Sequence, residues 1–200
     1  MQFVHRSLAA AALVCLSVSS FAASTVYNSS ASFLAQVAGG AYTETFSGLS
    51  DPPSGAVGFS GAGFSYTAFS PSDIYLSTGF LSTSQIDEAL TVTFTSGNVT
   101  AVGGDFFAVN LSDELQAVSI TLTLSDGTVE TFTPTSTADS FRGFSSNVVI
   151  TSLVMSGPGV SLYAGLDNLT VGVTAVPEPS TWALMGLGLL GLAATRRRTR

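Results

Sequence analysis

Lysine is absent from the chain, and cysteine, histidine and tryptophan occur once each, at Cys15, His5 and Trp182. Cys15 and His5 lie near the N-terminus, and Trp182 lies in the C-terminal apolar run. The middle of the chain therefore has no disulfide, no Ser-His-Asp or Cys-His catalytic set, no thiolate or imidazole zinc site and no lysine Schiff base. All six basic residues are arginines: Arg6, Arg142, Arg196, Arg197, Arg198 and Arg200. Residues 23–175 hold twelve of the thirteen acids and one arginine, a formal charge of −11. Such a surface repels phosphate backbones and excludes nucleic acid as a partner.

The first 22 residues read as a secretory signal peptide. His5 and Arg6 give a weakly basic start, an apolar stretch follows from Leu8 to Val18, and Ser20 and Ala22 are small residues placed for cleavage after Ala22. The apolar stretch is too short, and too broken by serines, for a permanent membrane helix. Val14 stands where a lipoprotein signal needs a small residue before its cysteine, so lipidation of Cys15 is not expected.

At the other end, residues 180–195 are uncharged. As a helix they would span roughly 24 Å, against a bilayer core of about 30 Å. Trp182 suits the interface, and Leu184, Leu187, Leu189, Leu190 and Leu192 supply the apolar bulk. Arg196, Arg197, Arg198 and Arg200 hold their end in the cytoplasm by the positive-inside bias. Gly186 to Gly191 match the dinucleotide fingerprint G-x-G-x-x-G, but no strand precedes them and no βαβ unit follows, so a thin membrane helix accounts for them better.

Immediately before this run stands Pro177-Glu178-Pro179. Two prolines remove amide donors and disfavour helix, which suits an extended, protease-accessible peptide. The order of Pro-Glu-Pro, apolar helix and arginine cluster over residues 176–200 closely resembles the PEP-CTERM sorting signal of Gram-negative bacteria. The resemblance implies that a membrane-embedded exosortase recognises Pro177, Glu178 and Pro179, cuts there and passes the protein on. The precursor would sit transiently in the inner membrane, and the product would reach the cell surface or an exopolysaccharide matrix. The removed tail would leave no membrane helix in the mature protein, as with other C-terminal address segments.

Between the two targeting segments, residues 23–175 are enough for one domain with a real core. Leu90, Val92 and Phe94 alternate with Thr91, Thr93 and Thr95, and Val118, Ile120, Leu122 and Leu124 alternate with Ser119, Thr121, Thr123 and Ser125. Asp126-Gly127 supplies the positive φ angles of a tight turn, and residues 128–133 return as the partner strand. Further strands are predicted at 42–46, 57–66, 74–81, 99–109, 141–144, 148–155 and 166–173, with one short helix at 30–37 and a linker from Gly172 to Val176. Eight to ten short strands predict an all-β, antiparallel sandwich of jelly-roll type. The stretches SFLAQVAGGAYTETFSGL, VGGDFFAV and GLDNLTVG are similar to β-sandwich domains that precede PEP-CTERM tails, which implies the same fold.

Three kinds of chemistry remain open to this domain. A glycosidase needs only two carboxyls, and Asp87-Glu88 and Asp113-Glu114 are adjacent pairs; neighbours in a strand point to opposite faces, so the domain is expected not to be an enzyme. Oxygen-ligand binding of a structural calcium ion points to Glu44 and Asp167, acids in otherwise apolar strands, with Asp105 a lesser candidate; the alternative is that backbone hydrogen bonds satisfy them. Carbohydrate recognition needs aromatic faces and convergent polar groups, for which Tyr27, Tyr42, Tyr66, Tyr75 and Tyr163 are available. The N-x-S/T matches at Asn28, Asn98, Asn110 and Asn168 are coincidences of a Ser/Thr-rich chain. The expected function is a structural or adhesive matrix component, with a carbohydrate-binding module as the alternative and a carboxylate-dependent hydrolase as the weakest.

Overall fold

The computed structural model describes residues 24–50, 54–77, 79–159 and 161–175. The signal peptide with Ala22 and the tail with Pro177, Glu178, Pro179, the apolar run and the arginine cluster lie outside the described residues. Among the described residues no helix is long and apolar enough to cross a membrane.

Among the described residues fourteen strands and one helix follow in chain order: β1 (Thr25–Tyr27), α1 (Ser30–Leu34), β2 (Tyr42–Glu44), β3 (Val57–Gly61), β4 (Phe64–Phe69), β5 (Ile74–Ser77), β6 (Phe80–Thr83), β7 (Leu90–Phe94), β8 (Ala101–Val109), β9 (Leu115–Gln116), β10 (Ile120–Leu124), β11 (Val129–Phe132), β12 (Phe141–Ser145), β13 (Ser152–Met155) and β14 (Tyr163–Gly172). They form two antiparallel sheets. One has the order β1-β12-β8-β14-β6-β5, with β2 beside β14 and β9 beside β8; the other has the order β11-β10-β13-β7-β4-β3. The sheets pack as a sandwich, and the all-β expectation holds.

Alternation decides which side chains meet between the sheets. Leu90, Val92 and Phe94 of β7 and Ile120, Leu122 and Leu124 of β10 face Val102 and Phe106 of β8 and Leu166, Leu169 and Val171 of β14 in one buried core. The intervening threonines, Thr91, Thr93, Thr121 and Thr123, point away from it. Arg142, the only base among the described residues, lies at the margin. It joins the sheets by an ion pair with Glu130 at 3.3 Å and by stacking its guanidinium 3.7 Å over the Phe132 ring.

The outer face of the eight-stranded sheet is covered at one end by α1. Ser29 caps this helix with its hydroxyl on the Ser32 amide, and Phe33 packs on Phe141 and Ala101 with no exposed surface. Gly103 and Gly143 make room: a Cβ on either would approach the Phe33 ring to 2.9 or 2.7 Å. Beyond α1 the same face carries Phe107 and Val109, both buried, with Asp113, Leu115, Thr137 and Ser140 alongside.

Several boundaries differ from the sequence expectation. Residues 57–66 form parts of two strands, because Ala62 and Gly63 both take positive φ and make a two-residue hairpin. Residues 74–81 likewise belong to the β5–β6 hairpin, which turns at Gly79, φ 109°. In the β10–β11 turn only Gly127 has positive φ, while Asp126 accepts the Thr128 amide. The expected linker is part of the fold: β14 runs to Gly172, Thr174 bridges to Val37, and the Ala175 amide donates to Gln36 at 2.7 Å.

Candidate functional site

The two calcium candidates are not brought together. Glu44 pairs in register with Leu169, a core residue, so it lies on the inner face of the eight-stranded sheet. The Tyr42 hydroxyl donates to its Oε2 at 2.5 Å and the Phe46 amide to its Oε1 at 3.1 Å. Burial, that hydrogen bond and the Glu44 charge together push the Tyr42 hydroxyl up to about 12. Asp167 neighbours the core residue Leu166 and therefore points to the outer face. Among the described residues no group of three or more His, Cys, Asp and Glu side chains is gathered as a metal site would require.

The partner of Asp167 is Asp105, directly opposite on β8. A bulge between Asp167 and Thr170 turns Asn168 into the left-handed region, φ 49°, and aims its amide back at the pair. Asn168 Nδ2 donates to Asp105 Oδ2 at 2.9 Å and to Asp167 Oδ2 at 3.1 Å, and the Asn168 amide donates to Asp167 Oδ1 at 2.6 Å. Ser140 adds its hydroxyl to Asp105 Oδ1 at 3.0 Å. Burial raises the Asp167 carboxyl above the usual range, the Asn168 amide pulls it down, and the Asp105 charge raises it again; the net shift is upward.

This pair sits in the middle of a groove on the outer face. Three depressions of about 300, 440 and 410 Å³ run from Tyr163 past Asp167 to Thr170; the first and second share Asp113, and the second and third share Asp105 and Asn168. Aromatic rings line it. Tyr75 is 41% exposed, Phe80 is half-buried, and Phe107 lies over Gly165, where a Cβ would come within 2.5 Å of the ring. Phe80 and Phe107 meet edge to face at 5.2 Å. Leu111, 85% exposed, belongs to the lining of the first depression.

The adjacent acid pairs do other work. Glu88 accepts the hydroxyls of Ser70 and Ser72 and the Ser72 amide, while Asp87 accepts the Gly159 amide. Glu114 accepts from Asn110, and Asp113 turns into the groove with φ 59°. Of the tyrosines, Tyr75 and Tyr163 reach the groove, Tyr42 and Tyr66 pack in or on the core, and Tyr27 pairs with Ser145 and lies against Phe33. The sequence marks Asp167 as an acid in an apolar strand and Asp105 as a lesser candidate; it carries no comparable mark for Phe80, Phe107 or Asn168. The signal available for Phe107 was its spacing of two from Asp105, which puts both on one face of a strand.

Neither a curated protein nor a solved structure matched the chain. A family model, the PEP-CTERM protein-sorting motif, matches residues 175–198 and so begins at the last residue tied to the sandwich. The all-β sandwich thus passes directly into the signal of an exported, exosortase-sorted protein, and the chain is a PEP-CTERM sorting domain-containing protein.

Proposed function

We propose that the protein is a non-enzymatic component of the cell surface or exopolysaccharide matrix, released there after exosortase removes the tail near Pro177-Glu178-Pro179. The single observation behind this reading is the sorting motif at residues 175–198, joined without a spacer to a closed sandwich at Ala175. The domain contributes an acidic, lysine-free body whose six-stranded sheet presents Thr67, Thr91, Thr93, Thr121, Thr123 and Thr131 outward, a hydroxyl-rich face suited to a hydrated polymer. Its test is the C-terminal mass of the protein recovered from the surface of its host, which ends near residue 178 under this proposal and at residue 200 if the tail is a permanent anchor.

A second reading, a carbohydrate-binding module, is favoured by the groove, which joins the exposed Tyr75 ring and the half-buried Phe80 and Tyr163 rings to convergent carboxylate and amide groups. A structural calcium ion enters the proposal only at Asp167 and Asp105, which share the Asn168 side-chain amide as a donor. Melting with and without millimolar Ca²⁺, in the natural chain and in Asp167→Ala, tests whether the pair takes a cation. A hydrolase would release new reducing ends from a bound polymer, and none are expected.

A further inference from the structure

We infer that the groove on the outer face of the eight-stranded sheet binds a neutral glycan chain, with its hydroxyls donating to Asp105 and Asp167 and its ring faces lying on Tyr75 and Phe80. This deepens the carbohydrate-binding reading and rests on it.

The first argument is donor balance. Two carboxylates face each other across neighbouring strands, an arrangement that costs stability in a sheet. The hydrogen bonds to them come from Asn168 and Ser140, and the only base among the described residues, Arg142, is committed to Glu130 and Phe132 at the sandwich margin. Such a site is rich in acceptors and repels anions. It calls for a ligand that brings several neutral donors, as a run of sugar hydroxyls does. Phosphate esters and uronate polymers are disfavoured by the same charge.

Shape is the second argument. From Tyr163 to Thr170 the groove follows β14 for roughly 20 Å at about 3.3 Å per residue, which suits a chain rather than a single sugar. Ring faces and polar groups alternate along it: Tyr75 and Tyr163 in the first depression, then Phe80 with the carboxylate pair, then Asn168 and Thr170. A pyranose has the same mixed character, an apolar face of C–H groups and a rim of hydroxyls, and mostly apolar clefts with a few placed polar groups are the usual form of small-ligand sites.

The third argument is local backbone. Asn168 and Asp113, both in the groove lining, hold positive φ at 49° and 59°. Such conformations persist where surrounding structure enforces them and concentrate at ligand sites. The bulge between Asp167 and Thr170 accompanies that conformation here, and in it Asn168 reaches both carboxylates.

Affinity electrophoresis of the full chain, purified in a sugar-free detergent, tests the proposal with gels containing dextran, a xylan, a galactomannan or alginate. At least one neutral polymer should retard the protein, and alginate should not. Asp105→Asn should weaken retardation at least about tenfold, since a hydrogen bond to a charged group is worth more than one decade. Tyr75→Ala, an edge-strand change at a 41% exposed ring, should weaken it several-fold without lowering the melting temperature. Gly58→Ala, on β3 of the opposite sheet where an added Cβ meets nothing, should leave it unchanged. Absence of retardation in every neutral gel, preference for alginate, or equal retardation of the natural chain and both groove variants would each overturn the inference. None of those results touches surface sorting, which the C-terminal mass decides separately.

Discussion

Tyr66 stacks on Phe59 with ring centroids 5.2 Å apart and meets Phe94 edge on, yet its buried hydroxyl has no hydrogen-bond partner. Leaving a buried hydroxyl unpaired costs about 1–3 kcal/mol. Tyr66→Phe keeps the ring contacts and removes the orphan atom, so it should raise stability by about 1 kcal/mol, read as a higher urea midpoint at unchanged slope. An unchanged or lower midpoint would mean that the hydroxyl is paired in solution. Asp167 gives a pH-dependent counterpart. Its carboxyl is raised in the folded state, so the folded protein holds this proton to higher pH than the unfolded chain does. Stability therefore falls as pH rises from the ordinary carboxylate range through the raised value. Asp167→Asn keeps an oxygen to accept the Asn168 amide while removing the charge facing Asp105. It should stabilise by up to about 1 kcal/mol at pH 7, with the gain shrinking toward pH 3 as the natural carboxyl becomes neutral too. Asp139 runs the other way. The amides of Thr135 and Ser136 hold it down to about 2, so its contribution is complete above the ordinary carboxylate range and is lost as pH falls toward that value.

At the scale of elements, α1 owes its place to two glycines rather than to its own length. Five residues cannot sustain a helix alone, and the Phe33 ring fits because Gly143 of β12 and Gly103 of β8 have no side chains beneath it. Gly143→Ala should lift the ring and cost about 1–3 kcal/mol by overpacking. The check is a thermal melt, with Gly58→Ala, where a Cβ meets nothing, as the control that should stay close to natural stability. Strands with one apolar face were legible in the sequence: β7 and β10 lie where alternation put them, because period two is a direct consequence of the pleat. Turns were less legible. Ala62 adopts φ 50° in a hairpin that usually takes Asn, Asp or Gly at that position, so the turn between β3 and β4 is marked only by the flanking Gly61 and Gly63. The short β1 and β9 were missed because two or three residues carry no period. The candidate site was half legible. Asp167 stood out as an acid among apolar residues, but its juxtaposition with Asp105 depends on the pairing of β14 with β8, some sixty positions apart in the chain, and no local pattern encodes that register.

For the whole molecule, the decisive feature is the absence of slack between domain and tail. Thr174 donates twice to Thr100, its amide to the hydroxyl at 2.8 Å and its hydroxyl to the carbonyl at 3.0 Å, and the Ala175 amide donates to Gln36, two residues before Pro177. A chain stopped after Ala175 keeps all of these bonds and should melt with the natural domain. One stopped after Gly172 loses these bonds and the one from the Ala38 amide to the Val173 carbonyl, which tie down the segment following α1, and should melt lower. Beyond Ala175 the physics changes from packing to partition. Sixteen uncharged residues favour lipid, and the four arginines resist crossing it at about 2.5–3.5 kcal/mol each near the bilayer centre. The precursor should therefore stay at the inner membrane until it is cut, with its acidic domain outside. Glu178→Ala should leave export intact and make full-length precursor accumulate there, whereas deletion of residues 177–200 should free the domain into the periplasm. Membrane and soluble fractions, probed with an antibody to the domain, separate these outcomes. Normal processing of the Glu178→Ala chain would show that the acid between the two prolines is not what the processing enzyme reads.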